Sequence, residues 1–302
     1  MRVAVIGGTG LIGWHAARTL LERGHEVRII ARREPAEELQ LDACDFASVD
    51  LYAATHDELR DALADCDGLV QAAGADPRIV PSGSARDFFF EANVASNLSL
   101  FTAAIEAGVT VGVILTSYFH PLRPEMADHP YVASRIASEE QLAELCGERL
   151  RLVVLQPPYV FGAIPGRSSL GDSLTLAARV PLIVPRGGTN AMSVMALARA
   201  ICGALERPEA QGTYLVGDEN LTWRQLVKRF GASSAILPTW LIRAVMYVGR
   251  LALKLARRQA GLEPVSLTDV ITSEMFFDPG PGQNALGYSG GDLDEAIGEL
   301  KK

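Results

Sequence analysis

A strand-forming run that leads directly into three glycines constrains this chain more than any other feature. Val3-Ala4-Val5-Ile6 is short, apolar and rich in β-branched residues. Gly7-Gly8-Thr9-Gly10-Leu11-Ile12-Gly13 follows, and a helical pattern then runs through Ala16, Leu20 and Leu21 to Gly24. In such a loop the first glycine permits a tight turn and the second lets backbone amides approach a pyrophosphate. The third allows the helix to pack closely on the strand, and the helix N-terminus favours negative charge. Strand, loop and helix all stand in the order that a dinucleotide cradle needs. Gly7, Thr9, Gly10, Leu11, Ile12 and Gly13 are therefore its expected members.

The pattern then repeats as alternating strands and helices. Val27–Ile30, Ala47–Val49, Gly68–Ala72, Val111–Thr116 and Leu152–Gln156 read as further strands. Helices are expected from Thr55, where Glu58 completes a capping box, and over about 87–107, 131–146 and 195–206. Fully apolar strands in this alternation predict an α/β fold with a doubly wound parallel sheet covered on both faces. Thr213–Val216 is expected to add one more strand to it. Residues 163–190 are rich in Gly, Pro and Ser and read as loop. Thr222 to Gln225 is a second capping box. From Pro238 the chain is expected to be helical, then irregular around 279–282. The expected organisation is a dinucleotide-binding domain over 1–162 and 191–217. A smaller, mostly helical substrate region is expected over 163–190 and 218–302.

Composition narrows the class. The chain has 302 residues, 48% of them hydrophobic, which suffices for a core without disulfides or metals. Its net charge of -8 argues against a nucleic-acid partner. Cys44, Cys66, Cys146 and Cys202 are scattered and form no CxxC pair, so neither a metal site nor a disulfide framework is expected. Core-like sequence begins at Val3, so no signal peptide and a cytoplasmic location are expected. No uncharged apolar run reaches the length of a membrane span.

Two further stretches bear on the cofactor. The second strand ends near Ala31, where an acidic residue would hold ribose hydroxyls. Arg32 and Arg33 stand there instead, and arginine pairs with a 2′-phosphate in bidentate fashion, so NADP(H) is expected over NAD. Asp50-Leu51, after the third strand, is placed to meet the adenine.

With these motifs the chain resembles the extended short-chain dehydrogenase/reductase superfamily, of the NAD-dependent epimerase/dehydratase type. It is most similar to the dihydroflavonol-reductase-like and 3β-hydroxysteroid-dehydrogenase-like branch. The resemblance rests on the glycine loop, Asp50-Leu51, Gln71-Ala72-Ala73-Gly74, Asn93-Val94 and Thr116-Ser117. It extends to Tyr131-Val-Ala-Ser-Arg135, Gln156-Pro157-Pro158-Tyr159-Val160-Phe161-Gly162 and Asn284-Ala285-Leu286-Gly287-Tyr288. It implies that Tyr131 handles the proton at the substrate oxygen and that Ser117 hydrogen-bonds the same oxygen. It also implies that Ala72, Ala73, Gly74, Asn93 and Pro157 lie against the cofactor. The residue four after the tyrosine shares its helix face. The family has lysine there, to bind the nicotinamide ribose and assist the tyrosine; this chain has Arg135. A tyrosine has an ordinary pKa of about 10 and needs a nearby cation to act near neutrality. Arginine supplies the charge, but it is bulkier and cannot relay a proton.

Other departures shape the expected substrate. Gln156 replaces a common arginine, and Met195 and Ala196 stand where an acidic pair is common. Only fourteen positions separate Ser117 from Tyr131. The shortened loop argues for a small or apolar ketone or aldehyde rather than a nucleotide sugar. His120 and His129 flank this loop and are expected to be solvated. Expected from all this is an NADP(H)-dependent oxidoreductase acting on C=O or CH–OH groups. A nucleotide-sugar epimerase or dehydratase is one alternative, and a non-catalytic NADP-binding regulatory protein is another. The family also allows a homodimer through the helices near 87–107 and 131–146. Residues 238–258 combine large apolar side chains with five cations and no acid. The favoured reading there is a helix packed on the substrate region with a solvated basic edge; membrane-surface contact is the alternative.

Overall fold

The computed structural model describes residues 1–166 and 182–301. In its first half, β1 (Arg2–Ile6) leads into α1 (Leu11–Glu22), β2 (Glu26–Ala31), β3 (Asp45–Ser48), α2 (His56–Ala62) and β4 (Gly68–Gln71). Helix α3 (Ala85–Phe90) passes through one π-turn, Glu91–Ala95, into α4 (Ser96–Glu106). Then come β5 (Val111–Leu115), the short α5 (Phe119–Leu122), α6 (Pro130–Cys146), β6 (Arg151–Gln156) and β7 (Tyr159–Phe161). Beyond residue 181 lie β8 (Leu182–Val184), β9 (Gly188–Ser193), α7 (Val194–Glu206), β10 (Gly212–Leu215), β11 (Glu219–Thr222) and α8 (Trp223–Arg229). The chain continues through β12 (Ser234–Ile236), α9 (Thr239–Leu255), α10 (Pro264–Ile271), β13 (Glu274–Met275), α11 (Gly280–Leu286) and α12 (Leu293–Glu299).

Seven strands form one sheet in the order β10-β6-β5-β4-β1-β2-β3, every neighbouring pair parallel. The alternation of side chains along a strand sends them to opposite helical layers. Val3 and Val5 pack with Ala16, Leu20 and Leu197 from α1 and α7. Ala4 and Ile6 pack with Leu59, Leu100, Phe101 and Leu142 from α2, α4 and α6. Burial on both faces is what requires these strands to be apolar throughout. Both expected capping boxes, Thr55 with Glu58 and Thr222 with Gln225, are formed. Arg151 closes the far end of α7 by donating to the Ala204 and Leu205 carbonyls, each at 2.8 Å. A cation there satisfies orphan carbonyls and opposes the helix dipole.

Helix Ala85–Glu106 is long and apolar enough to cross a bilayer by those criteria alone. Here it is a core helix, with Phe89, Leu100 and Phe101 wholly enclosed.

Two expectations change beyond Gly162. Residues 163–190 are not loop throughout, since β8 and the start of β9 fall there; residues 167–181 lie outside the described residues. Strand β9 is fully buried and anchors a second sheet, β11-β9-β13, with β7 joining it along β9. Small and polar residues such as Gly188, Thr189 and Asn190 hid this strand from a hydrophobicity reading. Residues 279–282, expected to be irregular, open α11 instead. Proline is tolerated in a first helical turn because its missing N–H has no partner to lose there.

Candidate active site

The order of the sheet reverses between β1 and β4, and ligands of such sheets bind outside the carboxyl ends of the strands at that point. A cleft of about 690 Å³ opens there. Its floor is the glycine loop. The Gly7 amide donates to Ile30 at 3.1 Å and the Gly10 amide to Gly7 at 2.9 Å, which curls the loop tightly. Gly7 has φ +74°, a region costly for any residue with a Cβ. A Cβ on Gly13 would lie 2.3 Å from the Gly7 carbonyl oxygen, so only glycine lets α1 sit this close. Gly10 caps α1 without a side-chain hydrogen bond, leaving first-turn amides for an anion. This cradle fits a dinucleotide pyrophosphate.

Of the residues expected to meet the cofactor, Gly7, Thr9, Gly10, Arg32, Arg33, Asp50, Leu51, Ala72, Ala73 and Gly74 line this one cleft. Leu11, Ile12 and Gly13 form the first turn of α1 beneath it. Arg32 and Arg33 are exposed, and no acid among the described residues pairs with either. Glu34 and Glu38 line the cleft further along the same loop. Pro157 is buried after β6 and does not line the cleft.

A second group meets the cleft at Gly74. A Cβ on Gly74 would lie 3.0 Å from Arg135 Nη2 and 3.4 Å from Asn93 Oδ1. Arg135 is buried on α6, where Nη1 donates to the Leu115 carbonyl and Nη2 to the Ala75 carbonyl, both at 3.3 Å. The guanidinium thus ties the carboxyl ends of β4 and β5 together. Its central carbon lies 5.2 Å from the centroid of the Tyr131 ring, one helical turn away. Tyr131 is buried, edge-on to Phe89 and Phe119. Ser117 follows β5, and its hydroxyl accepts from the Phe119 amide at 3.4 Å. The adjacent Tyr118 is locked away. Its hydroxyl lies 2.8 Å from Thr189 Oγ1, and burial pushes its pKa well up.

Sequence reasoning missed the network that holds this group. Asn93 is wholly buried. It accepts from the Ala75 amide at 3.0 Å and donates to Ser134 Oγ at 3.0 Å. Ser134 in turn donates to the Tyr131 carbonyl at 2.7 Å. One turn on, Asn97 donates to Ser138 Oγ at 3.1 Å and to the Asn93 carbonyl at 2.6 Å, and accepts from Gln71 at 2.7 Å. The π-turn at 91–95 lies within this network, as such turns often do near functional sites. Polar residues spaced three or four apart on otherwise apolar helices were the available signal.

The C-terminal region closes the far side. The Tyr131 amide donates to the Gly261 carbonyl at 3.0 Å, and a Cβ on Gly261 would strike the Phe89 ring at 2.4 Å. The two histidines are not solvated as expected. His129 Nδ1 accepts from the Glu263 amide at 3.0 Å, and burial lowers its pKa. His120 lies 3.7 Å from Glu139, whose carboxylate also accepts from Gln156 at 2.9 Å. The shortened loop presses both rings against neighbouring elements.

A doubly wound sheet with a glycine cradle and a Ser, Tyr and Arg group at its carboxyl edge defines a nicotinamide-dinucleotide enzyme. The sequence model of the NAD dependent epimerase/dehydratase family matches residues 3–217, and the chain belongs to that family. Cinnamoyl-CoA reductase 1 of Oryza sativa subsp. japonica is 28% identical over 250 residues, 70% of each chain. A 4-hydroxy-2-methyl-3-oxo-4-farnesyl-3,4-dihydroquinoline-1-oxide ketoreductase of Stigmatella aurantiaca is 28% identical over 178 residues, 54% of this chain and 51% of its own. Among solved structures, gox2253 superposes with a TM-score of 0.80 at 22% identity, covering 99% of this chain and 96% of its own. UDP-glucose 4-epimerase from Bifidobacterium longum, in complex with NAD+ and UDP, gives 0.72 at 16% identity, covering 100% and 97%. Both structures share the fold.

Proposed function

We propose that this chain is an NADP(H)-dependent reductase of a small, apolar ketone or aldehyde, or the dehydrogenase of the matching alcohol. The observation that carries the reading is the apolar surround of Tyr131: Ala75, Phe89, Phe119, Met126, Leu262 and Met275 share its buried cluster. A tyrosine seated among such side chains has an apolar environment, which favours an apolar carbonyl compound and offers little to a diphosphate. The reductase names of the two sequence relatives agree with it. For the cofactor, Arg32 and Arg33 directly follow β2 and are free to clasp a 2′-phosphate.

When bound, the cofactor supplies or takes up hydride at the substrate carbon. Tyr131 gives its hydroxyl proton to the substrate oxygen in reduction and takes it back in oxidation. Ser117 hydrogen-bonds that oxygen and fixes its position. Arg135 holds positive charge beside the phenol ring, which favours negative charge developing on the tyrosine oxygen. Two of its five N–H groups are engaged by carbonyls, and the others are left for the ribose.

The test is turnover of a panel of apolar ketones and aldehydes with NADPH or NADH. Y131F should lower kcat by about 10²–10⁴-fold while leaving NADPH binding intact. R32A/R33A should raise the KM for NADPH by about tenfold or more and leave that for NADH nearly unchanged. A nucleotide-sugar epimerase would turn over UDP-sugars without consuming added NADPH. A non-catalytic binding protein would bind NADPH and turn over nothing, in the parent and in Y131F alike.

A further inference from the structure

Helix α9 is seated on the protein by one narrow side and leaves another apolar side uncovered. Ile242 is its one buried residue, with Leu241, Met246 and Leu253 half-buried. At 100° per residue Ile242, Met246 and Leu253 fall on one sector. The sector across from them carries Trp240, Val248, Leu251 and Leu255, all more than half exposed. Helix α9 and the adjoining β8–β12 pair, through Ile183 and Ile236, hold eight of the twelve large apolar side chains exposed among the described residues. A face this concentrated marks an interaction surface.

Charge says what meets it. Arg243, Arg250 and Lys254 run along one flank of the apolar sector, and Arg257 and Arg258 follow at the helix end. Residues 239–258 contain no acid, in a chain whose net charge is -8. Arg243 pairs with Asp269 and Arg250 lies 3.4 Å from Glu263, both outside the helix. Lys254, Arg257 and Arg258 have no acidic partner among the described residues. A second copy docked face to face would set these cations against their equals. An anionic lipid surface complements them and takes up the apolar sector as well. Tyr247 lies between the cations and the apolar sector, and Trp240 stands at the helix start. Both are residue types that settle at a membrane–water interface. A 17-residue helix anchored along one side is suited to lie in the plane of a membrane rather than to cross it.

We infer that α9 docks the protein on an anionic lipid bilayer, with Trp240, Val248, Leu251 and Leu255 entering the interface and Lys254, Arg257 and Arg258 meeting the headgroups. The chain leaving this helix reaches Tyr131 within a few residues, through the hydrogen bond from the Tyr131 amide to Gly261. The substrate region therefore sits beside the lipid. This docking stands apart from the reaction proposed above and is tested without turnover.

The experiment is flotation of the full chain with vesicles of phosphatidylcholine alone or mixed with phosphatidylglycerol. Each of the three unpaired cations is worth about fivefold near an anionic surface, so binding to the mixed vesicles is expected to be about 100-fold tighter and salt-sensitive. V248E/L251E changes two exposed side chains, so it should keep the parent's thermal midpoint and lose at least about tenfold in vesicle binding. K254E/R257E should keep the same midpoint and lose the preference for anionic lipid. No flotation of the parent with anionic vesicles overturns the inference, as does V248E/L251E floating like the parent. A parent dimer in analytical ultracentrifugation that V248E/L251E converts to monomer, without flotation of either, assigns the face to a second copy and equally overturns it.

Discussion

Replacing Arg135 tests the site at the point where it departs most from its family. The guanidinium donates to two carbonyls, at Leu115 and Ala75, in a residue only 7% exposed. R135M removes both donors at once. Leaving a buried acceptor without a partner costs about 1–3 kcal/mol, and bonds as long as 3.3 Å belong in the lower half of that range. R135M should therefore lose about 2–4 kcal/mol of unfolding free energy. R135K keeps one donor and should lose about 1–2 kcal/mol. The same residue carries charge beside Tyr131. Its guanidinium carbon lies 5.2 Å from the centroid of the Tyr131 ring. R135M takes the charge away from the phenol and should lower kcat by about 10–100-fold, whereas R135K should retain most of it. Urea unfolding of the ligand-free protein reads the first effect, and steady-state kinetics of folded protein reads the second. An R135M midpoint equal to the parent's would refute the clamp. R135K less stable than R135M would refute the hydrogen-bond origin.

Two other predictions concern the frame around the site. N97A strips partners from Gln71, Ser138 and the Asn93 carbonyl and should cost about 2–4 kcal/mol in urea unfolding; a loss below about 0.5 kcal/mol would show that the network is dispensable. Burial holds the pKa values of His15 and His129 below the ordinary 6.5, despite a hydrogen bond to the Ala163 carbonyl at the first and the Glu263 carboxylate near the second. Below about pH 6.5 the unfolded chain binds more protons than the folded one. Their stability contribution is thus complete above that pH and is lost as pH falls through the lowered folded values. Thermal unfolding should show this decline, and H129N should flatten it; an identical slope in H129N would mean that His129 titrates alike folded and unfolded.

Much of the fold was written locally. β1 and the glycine loop needed no tertiary information, because strand propensity, glycine at a positive φ and a helix start are all short-range matters. Val3 and Val5 against Ala4 and Ile6 already implied two helical layers, since successive side chains must face opposite ways. The family resemblance supplied Ser117, Tyr131 and Arg135. Other features depended on distant contacts. Strand β9 is polar by composition and exists because Gly188–Ser193 is hydrogen-bonded on both sides by β7, β11 and β13. His120 and His129 were expected to be solvated and are half-buried against partners 19 to 134 residues away, and Asn93 is held by partners 18 and 41 residues away, which no local pattern can reveal. The sequence by itself determined a dinucleotide cradle and a cation one turn from a tyrosine. Only the tertiary structure decided that this cation ties two strand ends together, and that one apolar side of α9 stays uncovered. Burial and pairing are properties of the assembled chain, because each needs a neighbour that the sequence places far away.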